Sequence, residues 1–158
     1  MENQLNTKIE TVSIIYPHPR ILLGMKKVRF GEGKYNGFGG KVENGETLEQ
    51  AVTRETFEEA GINILDPEKM GEILFHFMTN QDHLVHFFRA TKFYGDPKES
   101  DEMVPKWFYI DEIPYDKMWE DDKYWLPMLL NRQKFKGEFH FDDKFRIFRY
   151  KLEETEKF

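Results

Sequence analysis

The stretch from Gly40 to Ile62, GKVENGETLEQAVTRETFEEAGI, constrains the fold more than any other part of the chain. At roughly 100° per residue, Leu48, Ala51, Val52 and Ile62 fall within about 60° of Glu55, and so do Glu58 and Glu59. One helical face therefore starts apolar and ends in three carboxylates, where a surface helix normally stays apolar towards the body of the protein. Like charges turned inwards cost on the order of several kcal/mol unless something neutralises them. A hard divalent cation with oxygen ligands is the natural neutraliser, Mg²⁺ above all where phosphate is handled. The competing reading is a solvated acidic helix end.

The helix has a start and a stop. Thr47 can cap it with Gln50 as capping-box partner, and Gly61 stands where a left-handed C-terminal residue is wanted. Arg54 and Glu58 can pair four residues apart on the surface, or Arg54 can fix the orientation of a carboxylate. Ahead of the helix come Gly31, Gly33, Gly37, Gly39 and Gly40, interleaved with Lys34, Asn36, Phe38 and Lys41. Glycine permits positive φ and close approach of backbone to a ligand, although turns use it constantly. Placed before an acidic inward helix and beside lysines, the run reads as the mouth of a phosphate site, where backbone carbonyls can add metal ligands.

Composition sets the outer limits. A chain of 158 residues suits a single domain over residues 1–158 with one substantial core. Aromatics make up 16% of it, fifteen of them Phe, so the core is expected to be built on rings. Charged residues reach 33% and are mixed in sign, which argues for a folded protein rather than disorder. A net charge of −6 disfavours a polynucleotide-binding surface but not a mononucleotide bound through a metal. The absence of cysteine excludes disulfide and thiolate chemistry. No apolar run approaches a membrane span, and MENQLNTKIE lacks a signal pattern, so a cytoplasmic location and no membrane partner are expected.

Strands are expected at Ile9 to Tyr16 and Arg20 to Lys27 around the PHP turn, then Gly71 to Thr79, Leu84 to Phe93 and Trp107 to Ile110. Two helices are expected, from Thr47 to Ala60 and from Asp121 to Arg132, the second carrying an awkward Pro127. A hairpin turning at Asp142-Asp143 joins Phe135 to Phe141 with Phe145 to Leu152. This is an α+β pattern, a mixed sheet flanked by helices. His76, His83 and His86 lie on expected strands without ligand spacing and read as satisfied or exposed imidazoles rather than metal ligands.

The spacing Gly40, five residues, Glu46, seven residues, Arg54-Glu55, two residues, Glu58-Glu59, one residue, Gly61-Ile62 resembles the Nudix box, G-x5-E-x7-R-E-U-x-E-E-x-G-U, where U is a bulky aliphatic. Thr56 departs at the U after Arg-Glu; its methyl can still pack, so a local packing loss is expected rather than lost chemistry. LLGMKK (Leu22 to Lys27), NGFGGKV (Asn36 to Val42), ESDEM (Glu99 to Met103) and KMWEDD (Lys117 to Asp122) resemble the MutT-type oxidised purine nucleoside triphosphate hydrolases, vertebrate members included, over roughly Thr11 to Tyr150.

The resemblance implies an α/β/α sandwich and Mg²⁺-dependent hydrolysis, with Mn²⁺ as a substitute. Water would attack an oxidised purine nucleoside triphosphate, giving the monophosphate and pyrophosphate and so sanitising the nucleotide pool. It places the metal on Glu55, Glu58, Glu59, the Gly39 carbonyl and Glu102, with Arg54 beside them and Glu55 or Glu102 as general base. Glu46 reads as structural. Lys26, Asn36, Trp119, Asp121 and Asp122 match positions that hold the purine. Thr11, Phe30, Phe38, Gly39, Gly40 and Lys41 match the remaining substrate-binding positions, although Thr11 and Phe30 read equally as plain strand packing. Adjacent Asp121 and Asp122 are not expected to ionise together in a dry pocket, so one can donate where the other accepts. Tyr35 stands where vertebrate relatives have Trp. The partner would be a small nucleotide, not a nucleic acid polymer, and the chain a monomer.

Taken alone, Trp119 reads as core or lid packing, the Asp pair as helix N-terminal charge, and Glu102 as an acidic loop. Two other functions compete. One is a Nudix pyrophosphohydrolase of a different nucleoside diphosphate derivative, and the other is a non-catalytic Nudix-fold nucleotide-binding module.

Overall fold

The computed structural model describes residues 7–158; the first six residues of the N-terminal stretch read above lie outside them. Within that range nine strands join in one mixed sheet. Its main path runs β11 (Ile147–Glu154), β10 (Phe135–Phe141), β6 (Glu68–Phe77), β7 (His83–Ala90), β1 (Lys8–Ile15), β2 (Arg20–Lys26) and β3 (Tyr35–Asn36). β4 (Phe38–Lys41) pairs with β1, and β9 (Met103–Tyr109) pairs with β2. The β1–β7 and β6–β10 pairs are parallel and the others antiparallel. A separate ribbon joins β5 (Asn63–Leu65) to β8 (Lys92–Tyr94).

Period-two alternation splits the core in two. Ile14, Ile21 and Leu23 face a cluster rich in Phe that takes in Trp125, Leu126 and Leu129 of helix α2 (Asp122–Leu130). Ile15 and Leu22 face the other way, onto Phe38 and onto Val52 and Ala60 of helix α1 (Leu48–Ala60). The sheet is thus sandwiched between two helices, the α/β/α arrangement expected. Among the described residues no helix is long and apolar enough to cross a membrane.

The differences from expectation have local causes. The expected Leu84–Phe93 strand breaks into β7 and β8, which belong to different sheets. β9 starts at Met103, four residues earlier than expected, in spite of Pro105. Proline lacks an N–H for the ladder, but among the described residues β9 pairs only with β2, so Pro105 occupies an edge strand where no second neighbour needs its donor. α2 is shorter at both ends than expected and keeps Pro127 inside it, at the cost of the hydrogen bond Lys123's carbonyl would otherwise receive.

Candidate active site

α1 is capped as its sequence dictates. Thr47 Oγ1 accepts from the Gln50 amide (3.1 Å), Gln50 Oε1 accepts from the Thr47 amide (2.9 Å), and Gly61 closes the C-terminus at φ 71°. Its buried face carries Ala51, Val52, Thr56, Glu59 and Ala60. The centre of that face lies roughly 65° round from Glu55, towards Thr56. The three carboxylates therefore differ in depth, correcting the expectation that all turn inwards. Glu59 is 4% exposed, the Glu55 side chain 17% and the Glu58 side chain 55%.

Thr56 also corrects the expectation of a packing loss. Its hydroxyl is fully buried, 2.6 Å from the Val52 carbonyl and 2.8 Å from Ser13 Oγ, which in turn lies 3.1 Å from the Phe38 carbonyl. A polar chain thus stitches α1 to β1 and β4 where an aliphatic side chain would only pack.

Arg54 organises the exposed flank. Its guanidinium grips Glu46 through two nitrogens (2.6 and 2.9 Å), donates to Glu55 Oε1 (2.9 Å), and reaches Glu58 at 3.3 Å and the Lys41 carbonyl at 3.1 Å. Both readings of this arginine hold at once: it pairs along the surface and it fixes carboxylates. The bond from Arg54, aided by the Glu43 amide, pulls the Glu46 carboxyl down to about 2. Burial raises the Glu55 carboxyl despite the same guanidinium, with Glu58 and Glu102 adding to the rise.

Gly39 and Gly40 are required for closeness rather than for positive φ. A Cβ on Gly39 would sit 1.7 Å from the Thr11 carbonyl oxygen, and one on Gly40 would sit 2.7 Å from the Glu55 carboxyl. The Gly39 amide donates to Glu59 Oε1 at 2.8 Å. Glu102 arrives from the loop before β9, pinned by the Lys27 amide on its carbonyl (2.7 Å) and by Arg29 on its carboxylate. Burial pushes the Glu59 carboxyl up to about 8; the neighbouring Glu102 adds to the rise, while the Gly39 amide and the Lys26 charge offset part of it. Without a cation, this cluster retains a proton at neutral pH. Hard oxygen donors on one helix and an adjoining loop, one of them unable to ionise alone, fit a divalent metal ion.

Beside this cluster lies a cavity lined by Thr11, Lys26, Phe30, Asn36, Gly39, Gly40, Glu59, Trp119, Asp121 and Asp122, all expected at the site. Trp119 stands in a collar of Phe30, Phe77, Phe141 and Phe145, at centroid distances of 5.1 to 6.0 Å. Asp121 begins α2 without a side-chain cap bond; its carboxylate instead accepts from the Trp125 indole at 2.7 Å. Burial raises Asp121 to about 6, and burial together with the Asp121 charge raises Asp122 well above the ordinary range. Asp122 therefore keeps a proton that Asp121 can accept as a hydrogen bond.

Of the expected metal and catalytic side chains only Glu59 lines the cavity, with Arg54, Glu55, Glu58 and Glu102 outside its lining, and two residues expected to bind substrate are not brought to it either. The Phe38 ring is fully buried in the core beneath α1, so no substrate can touch it. Lys41 is exposed and contributes only its carbonyl, to Arg54. Tyr35 is also outside the cavity lining, its ring edge-on to Phe108 at 5.1 Å. Sequence reasoning missed Glu10, Phe75, Phe77, His83, Phe87 and Met103, all of which line the cavity. Alternation in the Phe-rich strands could have flagged Phe75 and Phe77; nothing local marks Glu10. As for the other histidines, His76, Glu138 and His140 come together across β6 and β10. There His76 bonds Asp82 (3.0 Å) and Glu138, and Arg149 lies 3.3 Å from His140 Nε2, which leaves those nitrogens engaged.

A sheet with a carboxylate-bearing helix on one face, and an aromatic cavity that reaches the innermost of those carboxylates, Glu59, defines a class of phosphoanhydride hydrolases. The chain belongs to the Nudix family, matching the NUDIX domain model over residues 9–129. It is 47% identical to the oxidized purine nucleoside triphosphate hydrolase of Danio rerio, over 95% of this chain and 97% of that protein. With the Mus musculus protein of the same name it shares 44% identity, over 96% and 98% of the two chains. It also superposes on the MutT protein of Bacillus halodurans with a TM-score of 0.83 and 30% identity, covering 92% of this chain and 97% of that one. Nudix hydrolases generally use a divalent metal ion.

Proposed function

We propose that this chain hydrolyses oxidised purine nucleoside triphosphates, 8-oxo-dGTP and 2-hydroxy-dATP among them, to the monophosphate and pyrophosphate, with Mg²⁺ as the working ion. The observation that carries this reading is that Glu59, Trp119 and the Asp121-Asp122 pair line one cavity, so one nucleotide can meet a metal-site carboxylate, a stacking ring and a proton-sharing pair together. Its likeness to the fish and mouse hydrolases over nearly the whole chain supports the same substrate class. The chain would act as a cytoplasmic monomer.

Glu55, Glu58, Glu59, Glu102 and the Gly39 carbonyl would hold the ion, which supplies Lewis-acid polarisation of a phosphoryl oxygen and neutralises phosphate charge. Arg54 keeps Glu55 in place from the solvent side. Lys26 brings a positive charge to the cavity beside Glu59, where an incoming phosphate would sit. Glu55 or Glu102 takes the proton from the attacking water. Trp119 gives the base a flat face, worth roughly 1–3 kcal/mol by stacking. When a base enters, the proton that Asp122 shares with Asp121 can turn to the base edge, so that Asp122 donates and Asp121 accepts there, while Asn36 offers an amide to it. One cavity can in this way take differently oxidised purines.

The test is turnover of 8-oxo-dGTP, 2-hydroxy-dATP, dGTP and ADP-ribose with Mg²⁺, by wild type and Glu59→Gln in parallel. Oxidised purines should lead in kcat/KM. The variant should lose ~3 kcal/mol of transition-state stabilisation, roughly a hundredfold in rate or more. Preference for dGTP or ADP-ribose would overturn the substrate, and near wild-type turnover by Glu59→Gln would overturn the metal assignment.

A further inference from the structure

Two parallel strands supply one wall of the cavity. Glu10, Val12 and Ile14 of β1 and His83, Val85 and Phe87 of β7 alternate onto it. The wall is apolar along most of its length and ends on a polar pair, in which His83 Nδ1 is hydrogen-bonded to Glu10 Oε1. Side-chain exposures of 13% for His83 and 22% for Glu10, against nearly complete burial of Asp121 and Asp122, place this pair nearer the mouth. The His83 ring lies 5.9 Å from Phe30 and 5.3 Å from Phe77, the same two rings that pack on Trp119. A base stacked at Trp119 would therefore lie close to an imidazole.

The chemistry of the pair limits what it can do. A ring nitrogen bonded to a carboxylate carries the hydrogen, so Nδ1 is the donor to Glu10 and Nε2 is left for another group. That nitrogen accepts when the ring is neutral and donates when it is charged. An apolar side chain here would select substrates by shape alone, and shape discriminates by only about 10–200-fold for a methylene-sized difference. A hydrogen-bonding group rejects analogues that lack its partner more strongly, because it is left unpaired.

We propose that Glu10 and His83 form a second recognition point, in which His83 hydrogen-bonds a polar substituent of the bound nucleoside and Glu10 orients the imidazole. The inference rests on the hydrolase reading above and deepens it. His83 is the specificity-determining residue, and Glu10 is a positioning residue that acts through it.

The experiment compares kcat and KM for 8-oxo-dGTP, 2-hydroxy-dATP, 8-oxo-GTP and dGTP at saturating Mg²⁺. Wild type is set beside His83→Leu, His83→Gln and Glu10→Gln, with melting curves to verify folding. His83→Leu should change at least one kcat/KM ratio between substrates by about tenfold, less than a fully buried contact would give because this pair still meets water and close to the net worth of one hydrogen bond. The change should fall in KM. His83→Gln, whose amide still donates and accepts, should recover part of that ratio, and Glu10→Gln should move it in the same direction as His83→Leu by less. A shift between 8-oxo-GTP and 8-oxo-dGTP places the contact on the ribose; a shift between bases places it on the purine edge. Uniform scaling of all four substrates in the variants that fold overturns the proposal. Failure of the wider reading would show separately, as a wild-type enzyme with no preference for the oxidised purines.

Discussion

At the scale of the residue, the Asp121-Asp122 pair has the sharpest consequence. Both carboxyls are buried, and both titrate above the ordinary aspartate value of 3.8, chiefly because burial disfavours their charge. A folded-state value raised above the unfolded one means the native state holds its proton longer. The associated stability is full below about pH 4 and is lost as pH rises through the raised values. Asp122→Asn keeps a neutral donor at every pH. It should therefore melt several degrees above wild type at pH 7 to 8 in EDTA, with the gap closing below pH 4. A gap of constant size across that range in scanning calorimetry would show that Asp122 does not hold the proton. Spacing could place these two aspartates side by side, but not their depth. As sequence they equally suited a solvated helix start; Trp125, four residues on, is within helical reach of Asp121, but only the fold buries the indole and the carboxylate together.

At the scale of the element, α1 was legible at its ends and less so along its face. The capping box at Thr47 and Gln50 and the left-handed Gly61 are local devices, and the structure contains each of them. The buried face is rotated towards Thr56 because the polar contacts to Ser13 and Phe38 anchor the helix there. The three oxygen contacts of this chain share only two hydroxyl protons, so Ser13 and Thr56 depend on each other. Removing either hydroxyl breaks their shared contact but leaves the other its own carbonyl, so Ser13→Ala or Thr56→Val should cost about 1 kcal/mol each, and the double variant loses the shared contact only once. The double variant should cost less than the sum of the singles by roughly 0.5 kcal/mol or more in urea unfolding. Additive losses would mean that the two hydroxyls are independent.

At the scale of the whole molecule, metal binding should report on the proton it replaces. Glu59 is pushed up to about 8, mainly by burial, so without metal its contribution to stability is full at low pH and is lost as pH rises through that value. A cation in the cluster stabilises the ionised form instead. The rise in melting temperature on adding Mg²⁺ to EDTA-treated protein should therefore grow between pH 6 and pH 9. In Glu59→Gln the rise should be small and flat; equal growth in the variant would assign the proton to another group.

What the sequence determined by itself was local: a capped helix with carboxylates in a fixed order, a glycine run before it, alternating strands, and enough matched spacing to place the family. Periodicity and short spacings encode such features directly, because the interacting residues are near one another in the chain. What only the tertiary structure decided was depth and partnership. Burial follows from what the sheet lays against each side chain, so Glu59 went under while Glu58 stayed in water. The pairing of Glu10 with His83 depends on two parallel strands docking in register across 73 residues of chain, a separation that no local period carries.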